Sequence, residues 1–206
     1  TEIWLSRDGV KPFQLTQTQN GSSNAAQFSP DSKWISFLAD RGNKTQLYLI
    51  AIEGGEAFAI TNEEDGIGGY DCNPDATRIA CTKTESASKK EKSAKERYGA
   101  FGIEGEEYKL SHLWVINFNI DSILHAGLLP CYEEKADSSS NKKLAPCFKL
   151  PKASRLTEGK FTVTGFSWSP DGKQIAFNRQ PDPLINSSSR SDIAIVSVED
   201  KLIKTI

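Results

Sequence analysis

The 206-residue sequence has no methionine, only two histidines and only four cysteines. Two separated histidines, His112 and His125, provide no cluster of metal ligands. The cysteines provide none either, since Cys72 and Cys81 are nine apart, Cys131 and Cys147 sixteen apart, and no Cys-x-x-Cys occurs. No apolar run approaches the roughly 20 residues that a membrane-spanning helix requires. No charged-then-apolar segment at the amino terminus marks a secretory signal. Neither charge sign dominates: 25 Lys and Arg face 27 Asp and Glu, a net charge of −2. A nucleic-acid partner would need basic residues gathered on one face. The densest basic run, Lys89 to Arg97, is broken by Glu91 and Glu96 and reads as a solvated segment. The nucleophile elbow Gly-x-Ser-x-Gly is missing, and neither histidine has the context of a triad member, so no catalytic residue is assigned. No metal or cofactor is expected. Lacking methionine and opening inside a strand-like segment, Glu2 to Leu5, the chain is expected to be a fragment or a processed product. Three Asn-x-Ser/Thr sequons, at Asn20, Asn43 and Asn186, are close to the chance number and leave the compartment open.

What the sequence does contain is a repeat. Gln27-Phe28-Ser29-Pro30-Asp31-Ser32-Lys33-Trp34-Ile35-Ser36-Phe37 has two counterparts, 71–81 and 167–177, centred on Asn73-Pro74-Asp75-Ala76 and Ser169-Pro170-Asp171-Gly172. Each reads as strand, four-residue turn, strand. Proline presets φ at the first corner, Asp bonds the backbone ahead, and a Gly or small residue tolerates the tight exit. The flanks alternate apolar and polar, so Trp168, Ile175 and Phe177 are expected on a buried face, with Gln174 and Ala176 opposite. A second half-repeat follows each hairpin: an apolar strand, a short turn and a strand ending near Thr. It runs from Gln46 to Thr61, from His112 to Thr157 and from Asp192 to Thr205, and Glu2 to Thr16 is the same half-repeat without its hairpin.

Each full unit thus holds four strands. Pro30 to Pro74 spans 44 residues, the length of a propeller blade, and Pro74 to Pro170 spans 96. The expected fold is all-β: a TolB-like or WD-like partial β-propeller of about three and a half blades of four antiparallel strands. As one domain, 1–206, it comprises the end of a blade at 1–16, a blade at 25–61, a blade at 67–157 and a blade at 162–206. Insertions at 84–111 and 117–153 lengthen the third. The first begins with helical propensity. The second holds a low-complexity loop, Ser138 to Lys143. Propeller blades bury their faces against neighbours, so an open run of blades calls for further blades or another chain to complete the ring.

Two stretches narrow the reading. One is Arg97-Tyr98-Gly99-Ala100-Phe101 with Glu106-Glu107-Tyr108, leading to Ser111-His112-Leu113-Trp114-Val115-Ile116. The other runs from Arg155-Leu156-Thr157-Glu158-Gly159 through Phe166 to Gly172, then Pro181-Asp182-Pro183 and Ser188 to Ile193. In this order they resemble the propeller domain of prolyl oligopeptidase family serine peptidases, the acylaminoacyl-peptidase and dipeptidyl-peptidase branch. Cys72 and Cys81 depart from the aromatic residues usual in the hairpin. The resemblance implies a parent enzyme whose α/β-hydrolase domain, absent from this chain, carries the triad, while the propeller gates and helps bind short peptides. Implied partners are a peptide substrate, the missing hydrolase domain, the remaining blades and, as in many members, a second copy. A TolB-like or WD-like interaction propeller without enzymatic activity is the alternative. No nucleic acid and no membrane is expected as partner.

The resemblance also singles out Glu106 and Glu107, with Tyr108 beside them. Paired carboxylates on an insertion suit the free amino terminus of a peptide, through charge-assisted hydrogen bonds. The other reading is a solvated acidic loop before a strand. Cys131 and Cys147 bracket the low-complexity loop and are placed either to staple its base as a disulfide or to remain thiols. Cys72 and Cys81 replace buried aromatic residues and are expected as buried thiols, diagonal across the hairpin in poor disulfide geometry.

Overall fold

A computed structural model describes residues 1–7, 9–41, 44–87, 89–99, 108–120, 130–131, 145–146 and 150–206. The described chain is almost entirely antiparallel β. A two-stranded sheet pairs β1 (Trp4–Leu5) with β2 (Phe13–Gln14). A four-stranded sheet follows in the order β3 (Ser23–Phe28), β4 (Trp34–Ala39), β5 (Gln46–Ala51), β6 (Phe58–Ala59). The next is built from β7 (Tyr70–Cys72), β8 (Arg78–Thr84), β9 (Ser111–Asn117) and β12 (Ser154–Arg155). Between β8 and β9 lies helix α1 (Lys89–Tyr98), and between β9 and β12 a separate ribbon of β10 (Pro130–Cys131) and β11 (Ala145–Pro146). The last sheet is β13 (Thr162–Trp168), β14 (Gln174–Gln180), β15 (Asp192–Ser197) and β16 (Ile203–Thr205), with a 3-10 turn at Ile185–Arg190. Four-stranded meanders packed face to face are β-propeller blades.

The hairpin turn has one construction in all three blades. Ser32, Ala76 and Gly172 take left-handed φ of 57, 58 and 65°. Each donates its N–H to the carbonyl three residues back, on Ser29, Asn73 and Ser169. Asp31, Asp75 and Asp171 each accept the N–H two residues ahead, at 3.1, 2.8 and 3.0 Å. Ser29, Asn73 and Ser169 then accept the first N–H of the outgoing strand through their side chains. The hydroxyls of Ser29, Thr77 and Ser169 also donate to Asp31, Asp75 and Asp171, and these bonds first, with the backbone N–H groups second, hold the three carboxyls below the usual carboxylate range.

Three apolar layers separate the sheets. Ile3 and Leu5 meet Ile35, Phe37 and Ile50. Leu38, Leu47 and Leu49 meet Tyr70, Ile79, Cys81 and Ile116. Ala80, Leu113 and Val115 meet Trp168, Ile175, Phe177, Ala194 and Val196. Trp168, Ile175 and Phe177 thus share the buried face, with Gln174 and Ala176 exposed opposite, as the alternation predicts. Neighbouring blades are also tied by polar contacts near their first strands and hairpin turns. Gln27 donates to the Tyr70 carbonyl at 3.2 Å, and the Trp168 indole N–H donates to the Asp71 carbonyl at 3.0 Å. Arg78 donates to the Gly172 carbonyl at 2.9 Å and stacks on Trp168.

The threonine that ends each half-repeat is a clasp. Thr16, Thr61 and Thr157 each accept, at 2.9 Å, the N–H of Ile3, Leu47 and Leu113. Thr205 is not its fourth member. It pairs with Ala194 in the register where Ala59 pairs with Tyr48, two residues short of the clasp, and its hydroxyl instead accepts from Arg179. The repeated Thr therefore marks a side-chain role in three half-repeats and an exposed strand residue in the last.

Candidate functional site

Glu106, Glu107 and Cys147 lie outside the described residues. Tyr108 is exposed, on the limb by which the first insertion returns to β9. Cys131 stands in the β10–β11 ribbon opposite Ala145. Cys72 and Cys81 are free and diagonal, Tyr70 pairing with Cys81 and Cys72 with Ile79. Burial pushes their thiols up to about 11 and about 12, so neither is a thiolate nucleophile at neutral pH. Among the described residues no group of three His, Cys, Asp or Glu could hold a metal ion. Nor is any described helix long and apolar enough to cross a membrane.

What the structure brings together is a pair of equivalent clefts, at the ends of the second and third blades where β4 passes to β5 and β8 to β9. Strand register equates Tyr48 with Trp114, Gln46 with His112 and Ala59 with Arg155. The second-blade cleft, about 520 Å³, is lined by Asp40, Arg41, Gln46, Tyr48, Thr61 and Glu63 among others. Arg41 lies 4.5 Å over the Tyr48 ring. The third-blade cleft, about 380 Å³, is lined by Lys83, Thr84, Glu85, Ser86, His112, Trp114 and Arg155. Lys83 lies 4.2 Å over the Trp114 ring and is ion-paired with Glu63. Arg155 donates through Nε to the Thr157 carbonyl at 2.9 Å and through Nη2 to Glu85 at 3.2 Å. The Glu85 N–H bonds the Leu110 carbonyl, so the two limbs of the first insertion leave the blade at this cleft.

His112 is the unusual member. Glu2 and Gln46, its equivalents, each close two bonds at the clasp. Glu2 accepts the Thr16 hydroxyl at 2.6 Å and the Thr18 N–H at 2.8 Å. One oxygen of Gln46 accepts the Thr61 hydroxyl at 2.8 Å and the Glu63 N–H at 3.0 Å. His112 meets Thr157 through Nδ1 at 3.4 Å. Its Nε2 is buried and is, among the described residues, the buried side-chain polar atom left without a hydrogen bond. Glu85 Oε1 stands 3.6 Å from it. Burial first, and the Arg155 charge second, lower the imidazole's affinity for a proton. Sequence reasoning weighed His112 only as a triad member. Aligning the half-repeats would have shown His where Glu and Gln stand, but Glu85 and Arg155 come together only through the pairing of β8, β9 and β12.

No protein-family model matches the sequence. Over 92 residues the chain is 33% identical to an uncharacterized peptidase, YuxL, of Bacillus subtilis, a stretch that is 42% of this chain and 14% of that protein. Among solved structures, a putative TolB from Agrobacterium tumefaciens superposes with a TM-score of 0.58 at 14% identity, over 99% of this chain and 55% of that one. A prolyl endopeptidase structure matches at a TM-score of 0.53 and 11% identity, over 96% of this chain and 24% of that one. An acylaminoacyl peptidase matches at 0.50 and 11%, over 95% and 25%. The chain therefore spans 55% or less of the solved chains and about a seventh of the peptidase. Its fold is that of TolB and peptidase β-propellers, and part of its sequence is related to a peptidase.

Proposed function

We propose that this chain is the non-catalytic propeller of a serine exopeptidase of the acylaminoacyl- or dipeptidyl-peptidase type, admitting short peptides and helping to bind them. The observation that carries the reading is the stretch shared with a peptidase, on a propeller scaffold. The first insertion supports it, because it springs from the end of the third blade that also bears the polar cleft. In this reading Glu106 and Glu107, with Tyr108, hold the ammonium of a peptide's free amino terminus. The nucleophile belongs to an α/β-hydrolase domain elsewhere in the parent protein. Further blades, or a second copy, cover the apolar side chains at the two flanks of the run. These include Trp4 and Phe28, each 59% exposed, and Ile193, 54% exposed.

The test is Glu106→Gln with Glu107→Gln in the full-length protein. KM should rise for peptides with a free amino terminus and hold for amino-blocked ones. An unchanged KM for both removes the carboxylates from the account. A second reading, an interaction propeller without an enzyme, draws on the likeness to TolB over nearly the whole chain. Its signature is a full-length protein with no hydrolase domain.

A further inference from the structure

Among the described residues, the buried side-chain polar atom left without a hydrogen bond, His112 Nε2, lies at the third-blade cleft. Lys83 is paired with Glu63 and Arg155 with Glu85. The Thr84 hydroxyl meets Ser111 at 2.9 Å, and Ser86 meets Asp65. The charges lining the cleft are therefore matched, and its hydroxyls are engaged. His112 Nε2 is the exception. The Glu85 carboxylate, 3.6 Å from Nε2, favours the hydrogen on that nitrogen, and the Thr157 hydroxyl, 3.4 Å from Nδ1, then donates to Nδ1. Nδ1 is then the acceptor and Nε2 carries the hydrogen. The ring stays neutral because burial and Arg155 disfavour the imidazolium. A neutral N–H donor among already matched charges calls for an uncharged acceptor. Trp114 supplies an apolar wall, and about 380 Å³ holds a few residues of extended peptide.

We infer that this cleft binds a short peptide through a backbone amide, with His112 Nε2–H donating to its carbonyl oxygen and Trp114 flanking the adjacent side chain. The His112 ring packs against Phe161 with centroids 5.3 Å apart, and Glu85, whose side chain is 43% exposed, stands 3.6 Å from Nε2 and swings aside as the peptide enters. The inference rests on the peptide-handling reading above and names the group that reads the peptide. It also explains why the third blade departs from Glu2 and Gln46. An imidazole cannot accept both the Thr hydroxyl and the following backbone N–H, so His gives up that closure and keeps a donor for the cleft.

The probe is N-acetyl-alanyl-alanine amide, which has no charge, titrated into the chain while the ring-nitrogen resonances of His112 are followed by NMR. The Nε2–H resonance should shift and saturate, with a Kd of about a few millimolar. His112→Gln should bind about tenfold more weakly while keeping the fold, because Gln46 shows that glutamine closes this clasp. Glu85→Ala, which removes the carboxylate 3.6 Å from Nε2, should bind at least as tightly as the unaltered chain. An unshifted His112 resonance, equal binding by the Gln variant, or binding lost in Glu85→Ala overturns the proposal. So does saturable binding of acetate in place of the amide, the mark of an anion site. If the full-length protein proves to hydrolyse nothing and the amide still binds through His112, the peptidase reading fails and the site stands. If hydrolysis is intact and the amide does not bind, only the site fails.

Discussion

In the second blade Gln46 spends one oxygen on Thr61 and on the Glu63 N–H, and nothing buried is left over. In the third, His112 holds the same place, reaches Thr157 with one nitrogen and keeps the other unpaired beside Glu85. Beneath these rims the blades are alike. Leu47 and Leu113 are both fully buried, and both donate their N–H to a clasp threonine at 2.9 Å. The repeat thus conserves depth and hydrogen bonding in the body of a blade while its rim is free to differ, and the difference is concentrated where the first insertion is rooted.

The strongest way to break that comparison is to empty the two cores. Leu47→Ala and Leu113→Ala should each cost about 2–5 kcal/mol in urea unfolding, within about 1 kcal/mol of one another. A much smaller loss for one of them would show that the blades are not equivalent in packing. Next come the clasps. Thr61→Val and Thr157→Val keep the shape and orphan a buried N–H, at a cost of about 1–3 kcal/mol each. The loss should be larger for Thr61, whose hydroxyl bond to Gln46 is 2.8 Å against 3.4 Å for Thr157 and His112.

His112→Gln should leave stability at neutral pH within about 1 kcal/mol of the unaltered chain and change its response to acid. The folded chain holds this imidazole's proton more weakly than the ordinary value of 6.5. The unfolded chain therefore binds more protons between the folded value and 6.5, and stability falls as pH drops through that window. Unfolding curves across the window should show the fall in the unaltered chain and a smaller one in the Gln variant. The smallest expected effect is at the turns. Ala76→Gly relieves a left-handed alanine and should gain about 0.5–1 kcal/mol, whereas Gly172→Ala should lose a similar amount.

Local chemistry was the legible part of this molecule. The turns could be read because Pro, Asp and the following small residue act within four positions, and the buried faces because strands alternate. The diagonal placing of Cys72 and Cys81 followed from turn length alone. Thr205 ends its strand as the half-repeat predicts, but a threonine near a strand end looks alike whether or not its register puts it at the clasp. The third-blade cleft was hidden for a different reason. Glu85 follows β8 directly, His112 lies in β9 and Arg155 in β12, segments separated by two long insertions that only sheet pairing makes neighbours. The acidic pair Glu106-Glu107 rests on the resemblance and lies outside the described residues.

The most direct test of the account is to treat the full-length gene product with a fluorophosphonate and map the labelled residue. The account predicts a single labelled serine outside these 206 residues, with hydrolysis that favours short peptides over long ones. A full-length protein with no reactive serine would contradict it and leave a propeller that works by binding alone.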